Sequence, residues 1–164
     1  MNSRIKDLTK MSIVIALYVV VTLLMSSLSF GPIQIRIAEM FNLLVIFDKK
    51  YIPAVSLAVL LVNFASPLGP IDVVIGTLET LLALITIYLI TRKMKKLNHK
   101  LITGIIVSSL FMFIIALEIV FITDQQMPFW LIYLQLIVGE AISVSIGALI
   151  IKTINSRLKL EEII

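Results

Sequence analysis

Four stretches, Met11–Phe30, Ile71–Ile90, Leu101–Ile122 and Phe129–Ile151, are almost continuously apolar. Each is long enough to cross a bilayer, since a helix needs roughly 20 mainly apolar residues to traverse about 30 Å of hydrocarbon. Two shorter runs, Ile33–Phe47 and Tyr51–Phe64, flank the turn Asp48-Lys49-Lys50. Read as short spans joined by a tight basic turn, they bring the count to six. The competing arrangement is a re-entrant hairpin with four full spans, which would put two lysines inside lipid at high cost. Composition agrees with a membrane chain: 60% of the 164 residues are hydrophobic and 15% are charged, against about 45–50% and 25% in soluble domains. The expected fold is an all-α integral membrane protein, a compact bundle of six transmembrane helices forming one domain over residues 1–164. A cytosolic enzyme, a secreted disulfide scaffold and a disordered chain are poor readings of this composition. With no cysteine and a single histidine, His99, no disulfide framework and no thiolate or histidine-rich metal site is expected.

Basic residues test the six-span arrangement independently. With the N-terminus inside, the inner segments hold Arg4, Lys6 and Lys10, then Lys49 and Lys50. The next holds Arg92, Lys93, Lys95, Lys96 and Lys100, and the tail holds Lys152, Arg157 and Lys159. Of the 14 basic residues only Arg36 falls on the outer side. The positive-inside rule therefore predicts that both termini are cytoplasmic. The net charge of +4 sits at membrane edges, where it orients the chain and meets anionic lipid, and signals no nucleic-acid partner. The basic-then-apolar start is read as an uncleaved first span, because its apolar stretch is long and no clear Ala-x-Ala site follows. Loops of about ten residues or fewer leave no room for a nucleotide-binding domain, so any ATP hydrolysis is expected on another chain.

Against this apolar background five carboxylates stand out: Glu39, Asp72, Glu79, Glu118 and Glu140. Each costs on the order of 2.5–3.5 kcal/mol at the centre of a membrane helix, so such groups persist where they face a cavity or do chemistry. At about 1.5 Å per residue, Glu39 lies about 9 Å in from the outer end of its span. Glu79 lies roughly 12 Å below Asp72, and Glu140 about 15 Å below the outer end of the last span. All five fall in the outer half or at the midplane, which predicts a polar cavity open to the outside. Arg36, Glu39 and Asn42 recur every three residues and form a polar stripe. Asp72, Gly76 and Glu79 share one helix face, as do Tyr133 and Glu140. The alternative is a set of interhelical hydrogen bonds and an Arg36–Glu39 ion pair that only hold helices together.

The outer connections carry Gly31-Pro32, Pro67 with Gly69-Pro70, and Pro128-Phe129-Trp130. Such stiff, amphipathic loops suit a lid, and interfacial anchoring explains Trp130 and Tyr133 equally well. In the first span Ser12 and Ala16 are spaced for close helix approach, as are Gly104 and Ser108 in the fifth. Packing within the bundle and docking of a partner both fit that spacing.

The segment Gly31-Pro32-Ile33-Gln34-Ile35-Arg36-Ile37-Ala38-Glu39 resembles the opening of the second span in the QueT family. These proteins are substrate-binding (S) components of energy-coupling factor (ECF) transporters, associated with queuosine precursors. Asn63-Phe64-Ala65-Ser66-Pro67-Leu68-Gly69-Pro70-Ile71-Asp72, then Gly76-Thr77 and Gly139-Glu140, are similar to the same family. The resemblance implies a non-enzymatic cell-membrane subunit that captures its ligand outside, with no cofactor of its own. Its partners would be a transmembrane coupling protein and two cytoplasmic ATPases. Ser12 and Ala16 would correspond to the alanine-rich docking surface, with serine in place of the first alanine.

The chemistry fits such a ligand. A deazaguanine presents N–H and NH₂ side by side, which one carboxylate accepts in a bidentate pair. An aminomethyl group adds a cation for a second carboxylate to offset. The expected contacts are Glu140 or Glu79 to the base edge and Asp72 or Glu39 to the cationic arm. Arg36 would hold Glu39 ionised, Asn63 would add a polar contact, and Trp130 would offer an aromatic face. Two other transport readings use the same residues: an S component for another vitamin-like heteroaromatic ligand, and a self-sufficient proton-coupled carrier. A non-transporting scaffold is the remaining alternative.

Overall fold

The computed structural model describes residues 3–29, 35–123 and 127–158, leaving aside the side chains of Ser3 and Leu158. The expected start of the second span with its Gly31-Pro32 turn, the middle of the loop before Pro128, and Lys159 lie outside the described residues. Those described form α1 (Ser3–Leu24), α2 (Ser26–Ser29), a 3₁₀ helix η1 (Ile37–Ile46), α3 (Tyr51–Asn63), α4 (Pro70–Thr91), α5 (Leu97–Ile122) and α6 (Phe129–Leu158). No strand occurs among them. In hydrocarbon a backbone must satisfy its own hydrogen bonds, and helices do so without a partner strand. Several hydroxyls within the spans follow the same rule. Thr22 donates to the Tyr18 carbonyl at 2.9 Å, Thr91 to Ile87 at 2.7 Å and Ser143 to Gly139 at 2.8 Å.

Helices α1, α4, α5 and α6 are long and apolar enough to cross a membrane. Between them in sequence, η1 and α3 are shorter apolar helices. At about 2.0 Å per residue for a 3₁₀ helix and 1.5 Å for an α-helix, each is roughly 20 Å long, short of a full hydrocarbon core. The expected bounds of α3, α4 and α5 agree with the structure to within a few residues. α1 starts eight residues before the expected Met11 and α6 runs seven beyond Ile151.

Packing runs from α1 to α3 to α4 to α5 to α6, with η1 in the middle touching all five. A helix that is apolar nearly all round belongs in an interior, and η1 buries Ala38, Leu43, Val45 and Ile46 along with Glu39 and Asn42. It is seated by close approach. A Cβ on Gly147 of α6 would lie 2.5 Å from the Met40 Cβ and 2.7 Å from its Cα. A Cβ on Gly104 of α5 would collide with the Leu43 side chain. Beside this seat, Met40, Phe41 and Leu44 of η1 and Ile150, Ile151 and Ile154 of α6 line an apolar groove of about 150 Å³. Outward-facing positions such as Leu24, Phe121 and Leu149 are exposed, which gives the bundle the apolar jacket that lipid requires.

The basic segments gather at one end. Lys50 in the turn before α3 reaches Asp7 of α1 at 2.8 Å and Asp48 at 3.2 Å. Burial pulls the Lys50 ammonium down, but its hydrogen bonds to Asp7 and Asp48 outweigh this and hold its pKa above 10.5. The α4–α5 loop with Arg92, Lys93, Lys95 and Lys96, all but Met94 beside them exposed, carries the densest positive charge.

Replacing Gly147 by alanine should cost about 1–3 kcal/mol, because the Met40 backbone has to move. Thermal unfolding of the detergent-solubilised protein should show a lowered Tm.

Candidate ligand site

Residue spacing and helix type together build the centre of the site. In an α-helix, residues three apart drift by about 60° per step, whereas in a 3₁₀ helix they eclipse. Arg36, Glu39 and Asn42 therefore stack in one straight column along η1 and its N-terminal flank. Glu39 is held from every side. The Tyr18 hydroxyl of α1 donates to its Oε1 at 2.9 Å, the Asn42 amide donates to its Oε2, and Arg36 Nη1 lies 3.9 Å from Oε1.

Around this column the long helices bring their acids. Asp72 sits in the first turn of α4, Glu79 two turns further, Glu118 in the last two turns of α5, and Glu140 about three turns into α6. All are buried: Asp72 is 0% exposed, Glu140 1%, and Glu79, Glu118 and Arg36 are 2%, 2% and 5%. Arg36 is their common electrostatic neighbour. It pairs with Glu39, and its charge is felt at Asp72, Glu79, Glu118 and Glu140. Four separate helices thus converge on one guanidinium at the end of the bundle opposite the basic loops.

Much of this cluster has no internal partner. Both carboxylate oxygens of Asp72, Glu118 and Glu140 are buried without a hydrogen bond, as are Nε and Nη2 of Arg36. Buried polar groups are nearly always paired, so each such orphan calls for an explanation. Glu79 differs, since Thr80 Oγ1 donates to its Oε2 at 3.2 Å. Among the described residues no group of three or more acidic or histidine side chains is disposed to hold a metal ion.

The remaining expected contacts divide. Asn63 is buried at 2% exposure, and its amide donates to the Asp72 backbone carbonyl at 3.0 Å, tying the end of α3 to the start of α4. Gly76 leaves the space this link needs, since a Cβ there would lie 2.5 Å from both Asn63 Nδ2 and Asp72 Oδ1. Trp130 is not brought to the cluster. It is 73% exposed and packs edge-on against Phe129, with ring centroids 5.0 Å apart. Tyr133 stacks on Phe129 and donates to the Leu110 carbonyl at 3.0 Å. Ser12 and Ala16 both lie exposed on α1, whereas Gly104 and Ser108 are buried in the bundle. Tyr18 was absent from the expected site, although a phenol in mid-span is a polar group that requires a buried acceptor.

The family model described as QueT transporter matches residues 8–156, which reach from α1 into α6 and include the whole acid cluster. The chain belongs to the QueT transporter family. A relative of Lactococcus lactis subsp. cremoris (strain MG1363), named queuosine precursor transporter QueT, is 37% identical over 168 residues, 97% of this chain and 98% of its own length. No solved structure matches the chain. Membership of the QueT transporter family, with four helices long and apolar enough to cross a membrane, makes this a multi-pass membrane transport protein.

Tyr18→Phe removes a donor from Glu39 without creating a cavity. It should destabilise the purified protein by about 0.6–1.7 kcal/mol, the range of interhelical hydrogen bonds in membranes, as read by thermal or denaturant unfolding in detergent.

Proposed function

We propose that this chain is the substrate-binding subunit of an ECF-type importer in the cell membrane. It would capture a queuosine precursor, a deazaguanine, from outside and deliver it inward with a transmembrane coupling protein and two cytoplasmic ATPases. The observation that carries the ligand reading is the buried cluster around Arg36. One of its unpartnered carboxylates, Glu140, accepts a ring's N–H and NH₂ pair, and its free guanidinium N–H groups meet a ring carbonyl. Family membership and the name of the Lactococcus relative support the same ligand class. In this reading residues 1–164 form one transmembrane domain, with η1 and α3 completing six passes and both termini in the cytoplasm. The basic end faces inward and the acid cluster lies toward the outside. Ser12 and Ala16, exposed and small on α1, are the surface for the coupling protein. The energy for transport then comes from the ATPases, and this chain needs no cofactor.

The chain has no cysteine, so single introduced thiols report topology without background. Lys95→Cys should react with a membrane-impermeant maleimide only from the cytoplasmic face, and Thr123→Cys only from the outer face. Labelling of both from the same side would exclude the six-pass arrangement.

Purification from a native host should bring down a membrane coupling protein and two ATPases, and calorimetry should register deazaguanine binding to the isolated chain. Ala16→Trp should strip away the coupling protein while leaving ligand binding intact. Uptake by proteoliposomes that contain this chain alone, driven by a pH gradient without ATP, would instead establish a proton-coupled carrier. Submicromolar binding of a vitamin with no response to deazaguanines would move the assignment to another S component.

A further inference from the structure

The five acids are not equivalent, and the difference discriminates among ligands. Each oxygen of Glu39 already accepts a donor, from Tyr18 and from Asn42, and Arg36 lies 3.9 Å away. Glu79 is partly occupied by Thr80. Asp72, Glu118 and Glu140 keep every carboxylate oxygen open. The open atoms of the cluster are thus two donors on Arg36 and the acceptors of three carboxylates. A neutral ring with one carbonyl and one N–H/NH₂ edge engages Arg36 and a single carboxylate, and leaves two buried acids without donors. One buried guanidinium also balances only one carboxylate in a medium where uncompensated charge is expensive. A ligand that completes the site therefore brings further N–H donors and positive charge. The acids are not gathered as a metal cage among the described residues, so the charge belongs to an extended organic cation rather than a bare ion.

Asp72 and Glu118 are the pair left over once Glu140 takes the ring edge. Asp72 in the first turn of α4 and Glu118 in the last turns of α5 lie at the same end of two packed helices, and Asp72 is the leading charged neighbour of Glu118. We infer that Glu118 and Asp72 form a seat for a primary ammonium, and that the site selects amine-bearing ligands over neutral ones of the same ring. This rests on the reading of the chain as a deazaguanine-binding subunit and adds Glu118 as a specificity-determining residue. An ammonium fills the seat with three donors and cancels charge that a nitrile leaves uncompensated.

The test is calorimetric titration of the full chain in detergent with two probes, the aminomethyl and the nitrile forms of deazaguanine. The wild type should bind the aminomethyl form roughly ten- to hundredfold more tightly, the equivalent of one hydrogen bond between charged groups. Glu118→Gln, which keeps the shape and removes the charge, should weaken the aminomethyl form by a similar factor and leave the nitrile form little changed. Unchanged nitrile binding also shows that the variant is folded. Equal affinity of the wild type for both forms would overturn the ammonium seat while leaving the deazaguanine reading in place, and needs no variant. Parallel loss of both ligands in Glu118→Gln would likewise overturn the seat, because Glu118 would then act on the fold. Binding of neither probe to the wild type would overturn both the seat and the reading beneath it.

Discussion

A guanidinium buried among carboxylates, inside a bundle clad in leucine and isoleucine, is the constraint from which the rest follows. Taking ions out of water costs several kcal/mol each, and mutual attraction offsets that only with good geometry and further hydrogen bonds. Glu39 has such support, since Tyr18 and Asn42 donate to it with Arg36 3.9 Å away. The helices that bring the other acids have no such arrangement, and they hold buried acceptors open. In a fold with an otherwise apolar interior, that contrast separates residues that hold the structure from residues poised for a guest.

The central helix η1 explains how a short chain builds this arrangement. Five surrounding helices pack on it, so its polar column is presented to four of the acid-bearing positions at once. Gly104 and Gly147 admit the helix closely enough for this, and Gly76 does the same service for the Asn63–Asp72 link. The small residues of α5 are used internally, whereas those of α1 remain on the outside. One spacing rule thus serves packing in one place and leaves a surface in another.

The helical class, the long spans and the five acids were legible in the sequence because charges in apolar runs are conspicuous and hydrocarbon tolerates few alternatives. The stripe of Arg36, Glu39 and Asn42 was legible as spacing. Its straightness was not, because no local propensity distinguishes a ten-residue 3₁₀ helix from an α-helix, and the winding is a consequence of tertiary packing. The part played by Tyr18 is not legible in the sequence, because an aromatic in an apolar helix ordinarily reads as packing and its role exists only through Glu39, 21 residues away. Trp130 reads in the sequence as a stacking surface, yet its place at a helix start leaves it exposed, where amphipathic rings commonly settle. Gly104 with Ser108 and Ser12 with Ala16 share one pattern, and only the packed bundle separates them.

The winding of η1 also sets how finely the column tolerates change. Runs of 3₁₀ helix beyond three or four residues are uncommon because their hydrogen bonds are poorer than those of an α-helix. Rewound as an α-helix, the same ten residues would be about 5 Å shorter and would turn Arg36 and Asn42 about 120° apart. Arg36 and Asn42 would then approach Glu39 from opposite sides rather than in line with it. The alignment of charge at the heart of this protein is thus a property of helical pitch as much as of residue identity.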